Sequence, residues 1–151
     1  MALVRKDQEP HHETMTEQVF GGQTPISEVI GDDIVRVGPD ANLVEVAKLL
    51  AGANIGAVVV GDQEKVIAVV SERDIVHAVA EQHDPITTKA LEIGHTNLIW
   101  CDASATVTEV AIEMMDRYLR HVLVEDNANL VGIVSARDLL GVYAFSEEDT
   151  S

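Results

Sequence analysis

The feature of this sequence that most constrains its fold is an internal repeat. Residues 34–80 align without a gap on residues 98–144 when Ser71 is placed on Ser135, 64 positions further on. Identical residues then coincide along both copies, among them Glu45 and Glu109, Val58 and Val122, Asp62 and Asp126, Arg73 and Arg137, and Asp74 and Asp138. Two copies are too few for a solenoid, so we expect a pair of similar units.

Each copy predicts the same order of elements, which is strand, helix, strand, strand, helix. Short β-branched runs predict strands at residues 34–37, 57–60 and 66–70 of the first copy. An apolar stripe with helical spacing predicts the helix between the first two strands. Its members are Leu43, Val46, Ala47 and Leu50 in the first copy and Val107, Val110, Ala111 and Met114 in the second. The pattern predicts an α/β (α+β) fold of two β-α-β-β-α repeats.

The starts of the helices follow from polar residues that can accept a hydrogen bond from a free backbone N–H group. Asp40 and Ser104 are the expected caps of the two striped helices, because each precedes its stripe by a few residues. The last helix of each copy is expected to start at Ser71 or at Ser135.

The repeat also sets the expected domain limits. We assign residues 24–80 to the first repeat and 88–144 to the second, joined by a polar linker at 81–87. Residues 1–23 are expected to form a flexible N-terminal tail, and 145–151 an acidic C-terminal tail.

The charge balance limits the partners that such a chain can bind. Ten Lys and Arg residues stand against 26 Asp and Glu residues, a formal net charge of −16. Nucleic acid and anionic membranes would be repelled, so we expect neither as a partner. Hydrophobic residues make up 46% of the chain and aromatic residues only 3%, so the core must be aliphatic.

Several other classes of protein are not expected. A single cysteine, Cys101, excludes an intrachain disulfide and fits a reducing compartment. No apolar leader and no membrane-length apolar run is visible, so we expect a cytoplasmic protein. The sequence shows no nucleophile with a base, no metal-ligand cluster and no phosphate-loop fingerprint. We therefore expect no enzymatic activity, no catalytic residue, no metal and no obligatory cofactor.

The candidate chemistry lies where the third strand of each copy meets its last helix. The first copy reads Ser71-Glu-Arg73-Asp74, and the second copy repeats the serine, arginine and aspartate. In one interpretation Ser and Asp only form a capping box, in which each side chain bonds a backbone N–H group at the helix start. In the other, the N–H groups hold a phosphate or a sugar, and the Asp carboxylate accepts hydrogen bonds from a ribose. Arg73 and Arg137 are either phosphate ligands or solvated residues of the helix.

The sequence Gly132-Ile-Val-Ser135-x-x-Asp138, after a β-branched strand and before a helix, resembles the cystathionine-β-synthase (CBS) domain. The recurrence of this motif over residues 26–144 is similar to a tandem CBS pair, or Bateman module. The resemblance implies that two repeats pack as one pseudo-two-fold body. It also implies two clefts that bind AMP, ADP, ATP or S-adenosylmethionine as a regulatory ligand.

The resemblance assigns residues to these clefts. Ser71 and Asp74 would serve one cleft, and Ser135 and Asp138 the other. Arg120 occupies a position that in relatives can hold a phosphate-binding arginine.

Further residues follow from the same resemblance. His121 follows Arg120 and either lines the cleft or is a partly buried histidine at a strand start. His95 lies where relatives place a polar residue near the base. The first copy departs from the pattern, with Gly56 in place of Arg120 and Ala68 in place of Gly132. A glycine lets the backbone approach a ligand closely, whereas we expect the Ala68 methyl to crowd it. We therefore expect the motif at Ser135 to be the better phosphate binder, and the motif at Ser71 to be weak or empty.

The function that the resemblance implies is a stand-alone regulatory sensor. It would bind an adenosine-containing ligand in the cleft between repeats and signal to an effector protein in trans. The alternative is a scaffold with degenerate clefts and no ligand. Family members often form disc-like homodimers, and Leu49, Leu139 and Tyr143 are the residues that we consider for such a face.

Overall fold

A computed structural model describes residues 22–30, 34–62 and 64–142 of the chain. The predicted C-terminal tail, Tyr143 and residues 1–21 of the predicted N-terminal tail lie outside this description. Within the described ranges, no helix combines the length and apolar character that a membrane span requires. The described chain forms two compact units, one of residues 34–98 and one of residues 22–30 with 99–142.

The unit of residues 34–98 contains one three-stranded sheet and three helices. In chain order these are β1 (Arg36–Val37), α1 (Leu43–Ala53), β2 (Ala57–Gly61), β3 (Val66–Ser71), α2 (Glu72–Ala80) and α3 (Ala90–Ile93). The central strand β2 pairs in parallel with β1 and in antiparallel fashion with β3. The parallel pair requires a crossover connection, which α1 provides.

The second unit repeats this topology. After a 3-10 helix at Ile26–Glu28, it contains β4 (Trp100–Asp102), α4 (Val107–Arg117), β5 (His121–Asp126), β6 (Asn129–Ser135) and a helix α5 at residues 136–142. The strand β5 lies between β4 and β6, with the same parallel and antiparallel pairings. The predicted fold class of two β-α-β-β-α repeats is confirmed.

The two striped helices begin two residues later than the predicted caps imply. The N-cap of α1 is Asn42, whose Oδ1 accepts the N–H of Glu45 at 2.9 Å. The N-cap of α4 is Thr106, whose Oγ1 accepts the N–H of Glu109 at 3.2 Å. Both helices carry a complete capping box, because each glutamate also accepts the N–H group of its cap.

The predicted caps make other contacts. Asp40 lies 3.2 Å from the Nζ of Lys89, and Ser104 donates to the carboxylate of Asp102. Both residues belong to the turn before the helix rather than to its start, so the prediction that they cap the helices was wrong.

The core of each unit is aliphatic, as the low aromatic content predicts. The helix stripes face the sheets, and Val46, Val58 and Val70 are completely buried in the first unit. Val110, Val122 and Val134, which lie 64 positions later, occupy the same places in the second. Hydrophobic burial stabilises such a core by about 25 cal/mol per Å² of apolar surface removed from water.

The segment that precedes the first repeat in sequence belongs to the second unit. The N–H of Ile26 donates to the C=O of Ala105 at 2.7 Å, and the N–H of Val107 donates to the C=O of Thr24 at 2.9 Å. These bonds anchor residues 24–26 beside the start of α4.

The segment before the second repeat makes the same bonds in the first unit. The N–H of Ala90 donates to the C=O of Ala41 at 2.7 Å, and the N–H of Leu43 donates to the C=O of Thr88 at 3.1 Å. Each repeat thus gives its leading segment to the other unit, so the spatial units differ from the sequence repeats. The alignment of the two repeats cannot reveal this exchange, because the alignment is the same whichever unit each leading segment packs against.

The packing around Gly132 changes the interpretation of this residue. A Cβ atom on Gly132 would lie 2.8 Å from Cδ1 of Ile30 and 3.0 Å from its Cβ. In the first unit, Ala68 is fully buried, and its Cβ is 3.1 Å from the place of a Cβ on Gly94. The expectation that the Ala68 methyl crowds a ligand was wrong, because that methyl packs inside its own unit.

We predict that Gly132→Ala destabilises the protein by about 1–3 kcal/mol, the usual cost of overpacking a filled site. Urea unfolding followed by circular dichroism measures the change. Gly52→Ala is the matched control, because nothing lies within 4 Å of its added methyl and alanine favours a helix. Equal stabilities of the Gly132→Ala variant and the parent would contradict the packing described here.

Candidate functional site

The Ser71 motif forms a capping box at the start of α2. The Oδ2 atom of Asp74 accepts the N–H of Ser71 at 2.8 Å and its hydroxyl at 3.0 Å. The N–H of Asp74 lies 3.2 Å from the Oγ of Ser71. Ser71 is also the last residue of β3, where it pairs with Ala57. The sheet and the helix start therefore fix both motif side chains.

His95 contacts the same aspartate. Its Nε2 lies 2.7 Å from Oδ1 of Asp74, while 71% of the histidine side chain and 11% of the aspartate side chain are exposed. The backbone of His95 forms two hydrogen bonds with Val69, of 2.9 and 3.0 Å. Since Val69 lies two residues before Ser71 on β3, this bridge places His95 beside the motif.

The Ser135 motif has the same core geometry in the second unit. The Oδ2 atom of Asp138 accepts the N–H of Ser135 at 2.8 Å, and the N–H of Asp138 lies 3.1 Å from the Oγ of Ser135. His121 pairs with Ser135 across the β5–β6 ladder. The C=O of Arg120 accepts the N–H of Ala136 at 2.9 Å. The structure thus brings Arg120 and His121 to the start of this motif.

The two motifs differ in the charged groups around them. The C=O of Gly56 accepts the N–H of Glu72 at 2.9 Å, which is the bond that Arg120 makes in the second unit. The backbone contact is the same, but only the second unit has a guanidinium at this position. Arg73 and Arg137 are exposed in the first turns of α2 and α5. Exposed cations at a helix start, where the helix dipole is positive, can attract an anion even in a chain of negative charge.

The described residues offer little for covalent or metal chemistry. Burial, together with Asp102, Glu125 and Glu109 nearby, raises the pKa of the Cys101 thiol to about 12. This thiol stays protonated at neutral pH and is a poor nucleophile. Across residues 22–30, 34–62 and 64–142, no three His, Cys, Asp or Glu side chains are grouped so that they could hold a metal ion.

Comparison with known proteins identifies the family. The CBS domain model matches residues 26–81 and 90–144, so the chain belongs to the CBS-domain family. The uncharacterized protein MK0525 of Methanopyrus kandleri is 32% identical over 120 residues, which cover 78% of this chain and 61% of that protein. The chain therefore spans less than two thirds of this relative.

Two solved structures of the family contain adenosine compounds. The CBS domain protein PAE2072 from Pyrobaculum aerophilum, complexed with AMP, is 33% identical with a TM-score of 0.71, over 84% of this chain and 99% of that one. The CBS domain pair of protein MJ0100, in complex with 5′-methylthioadenosine and S-adenosyl-L-methionine, is 25% identical with a TM-score of 0.71, over 81% of this chain and 97% of that one. CBS pairs like this one thus include ligand-binding proteins.

The contact between His95 and Asp74 is the feature of the site that sequence reasoning missed. The resemblance implies a position for His95 near the base, and the structure adds that its ring contacts the motif carboxylate. This contact requires the bridge between His95 and Val69, which forms only because the segment at 94–96 joins the first unit. The contact could therefore have been predicted only by knowing that the leading segments are exchanged.

We predict that Cys101 reacts slowly with a thiol reagent in the native protein, because its thiol is buried and its pKa is about 12. Labelling with 5,5′-dithiobis(2-nitrobenzoate) at about pH 8 should become complete only after unfolding in urea. Free cysteine in the same buffer serves as the control for reagent activity. Rapid labelling of the folded chain would show that the β4 core is open to solvent.

Proposed function

We propose that this protein is a non-enzymatic regulatory module that binds an adenosine-containing ligand and signals its presence to a partner protein. AMP, ADP, ATP and S-adenosylmethionine are the candidates. The observation that carries the proposal is the repeated Ser-x-Arg-Asp motif, fixed at a strand end and a helix start in both units. Relatives bound to AMP and to S-adenosylmethionine support this ligand class.

The proposed roles follow from the chemistry of each group. The Asp74 and Asp138 carboxylates would accept hydrogen bonds from ribose hydroxyls, since an ionised carboxylate only accepts. Ser71 and Ser135 would contribute hydroxyl and backbone groups, and Arg73 and Arg137 positive charge. His121 would line the second motif and His95 the first. The bound adenosine compounds would act as effectors and not as obligatory cofactors.

The second motif is proposed to be the stronger site for a phosphate. Arg120 is anchored by its carbonyl to the N–H of Ala136, directly after Ser135. Its guanidinium can form a charge-assisted, bidentate contact with phosphate. The equivalent residue of the first unit, Gly56, has no side chain. Since the Ala68 methyl packs inside its own unit, this difference in phosphate binding comes from Arg120 and Gly56.

We predict that one of the four candidate ligands raises the thermal stability of the protein. At about 100 times its dissociation constant, a ligand that binds only the folded state adds roughly 2.7 kcal/mol. Differential scanning fluorimetry with each compound detects this, and isothermal titration calorimetry gives the dissociation constant. Asp138→Ala should abolish most of the binding, because it removes the ribose acceptor of the stronger motif.

Asp116→Ala is the matched control, since it removes an exposed aspartate of α4 that lies outside both motifs. Absence of binding by all four compounds would contradict the proposal. It would favour a ligand-free scaffold, in which the motif bonds serve only as helix caps. That alternative draws on one observation, which is that Ser71 and Ser135 already form complete hydrogen-bond pairs with Asp74 and Asp138.

We also propose that the protein is a homodimer and that it acts in the cytoplasm, where a single unpaired thiol is stable. Val76 and Val79 on α2 are 66% and 60% exposed, and Leu140 on α5 is 68% exposed. These positions form apolar helix faces that a second copy would cover. Leu139 is 4% exposed and lies in the core, so it is not available for such a face.

We predict a mass of roughly 33 kDa by size-exclusion chromatography with light scattering, twice the chain mass of 16.3 kDa. Val76→Glu should shift the protein toward a single chain, because a carboxylate would then be buried in an apolar interface. Ile86→Glu, which adds the same charge at an exposed loop position, should leave the mass unchanged. A wild-type mass of one chain would refute the dimer.

A further inference from the structure

The carboxylate of Asp74 has both of its oxygens engaged within its own unit. Oδ2 accepts two hydrogen bonds from Ser71, and Oδ1 lies 2.7 Å from Nε2 of His95. An ionised carboxylate is only an acceptor, so the histidine nitrogen must be the donor. Only 11% of the Asp74 side chain is exposed, so little of the carboxylate is open to a ligand.

This arrangement affects the binding of a ribose. A ribose that donates its two hydroxyl groups to Asp74 needs the Oδ1 acceptor that His95 already uses. The ligand must then displace the imidazole or share the oxygen with it. Either event weakens the net gain, because a bond to His95 is exchanged for a bond to the ligand. His95 is 71% exposed, so its departure from Asp74 is sterically open.

The second motif differs at this point. The residue equivalent to His95 in the first copy is Gly31 at the offset of 64. It is Asp32 at the offset of 63, which aligns Ile30-Gly31 with Ile93-Gly94. Neither residue type has a side chain that can donate to an ionised carboxylate. Asp138 accepts the N–H of Ser135 at Oδ2, as Asp74 accepts the N–H of Ser71. The repeat therefore retains the carboxylate but has no histidine at the position of His95.

We propose that His95 competes with the ribose for Asp74 and keeps the first motif at low affinity. This inference rests on the proposed function, since it concerns the same class of ligand. It assigns His95 a role opposite to that of a simple ligand contact, because the residue lowers affinity at the first motif. We therefore expect the first motif to fill at a higher ligand concentration than the second.

The test isolates the first motif and then removes the competitor. Asp138→Ala removes the ribose acceptor of the second motif, and His95→Ala is added to that background. Isothermal titration calorimetry with AMP, repeated with S-adenosylmethionine, measures the dissociation constant of each variant. We expect the double variant to bind at least one of the two compounds roughly fivefold more tightly than Asp138→Ala alone, the factor that corresponds to a well-formed exposed ion pair.

Two matched variants separate this effect from a structural one. His83→Ala in the same background removes another histidine that contacts a carboxylate, Glu81 at 3.5 Å, and should leave affinity unchanged. Adding Asp74→Ala to the double variant should cancel the gain, because the gain acts through that carboxylate. If His95→Ala disturbed the folded structure, the affinity would fall. An increase in affinity therefore cannot arise from such a disturbance.

The outcomes distinguish the two proposals. If the wild-type protein binds through Asp138 and His95→Ala brings no gain or a loss, the competitor role is wrong and the proposed function stands. If no variant binds either compound, both are wrong. A gain that survives the loss of Asp74 also overturns the role of His95, since its effect would then come from elsewhere.

Discussion

The hydrogen bonds between each motif aspartate and the backbone N–H of its serine are the interaction on which the rest of the site depends. They tie the last residue of a sheet strand to the first turn of a helix, at 2.8 Å in both units. Without a cap, the first N–H groups of the helix would lack partners. The aspartate carboxylate accepts the N–H of the serine, and the serine hydroxyl accepts the N–H of the aspartate. The same carboxylate is the proposed ribose acceptor, so the site is built from a group that the fold already requires.

This double use explains why sequence reasoning reached the motif but could not choose between its two interpretations. Ser and Asp at this spacing satisfy a capping box with or without a ligand, and the structure contains both capping boxes. The repeat also predicted the strands and helices well, because the apolar stripes and β-branched runs have clear periods. Local propensity was less informative at the helix starts, where Asn42 and Thr106 replaced the expected Asp40 and Ser104.

What the sequence could not provide were contacts between segments that lie far apart in the chain. The bond from His95 to Asp74 spans 21 positions and depends on the bridge to Val69. The contact of Gly132 with Ile30 spans about 100 positions. Both follow from the exchange of leading segments, which leaves no periodic signal. The two copies, although aligned without a gap, therefore differ in the parts of the site that packing creates.

The exchange of leading segments also has a consequence for the order of folding during synthesis. Residues 34–98 form a continuous stretch, so this unit has all of its strands and helices as soon as Leu98 leaves the ribosome. The 3-10 helix at Ile26–Glu28 must wait until residues 103–107 have been made before its backbone bonds can form. Closing so long a loop is slow relative to local structure. The second unit is thus completed last, and residues 24–28 are among the last of the described residues to find their partners.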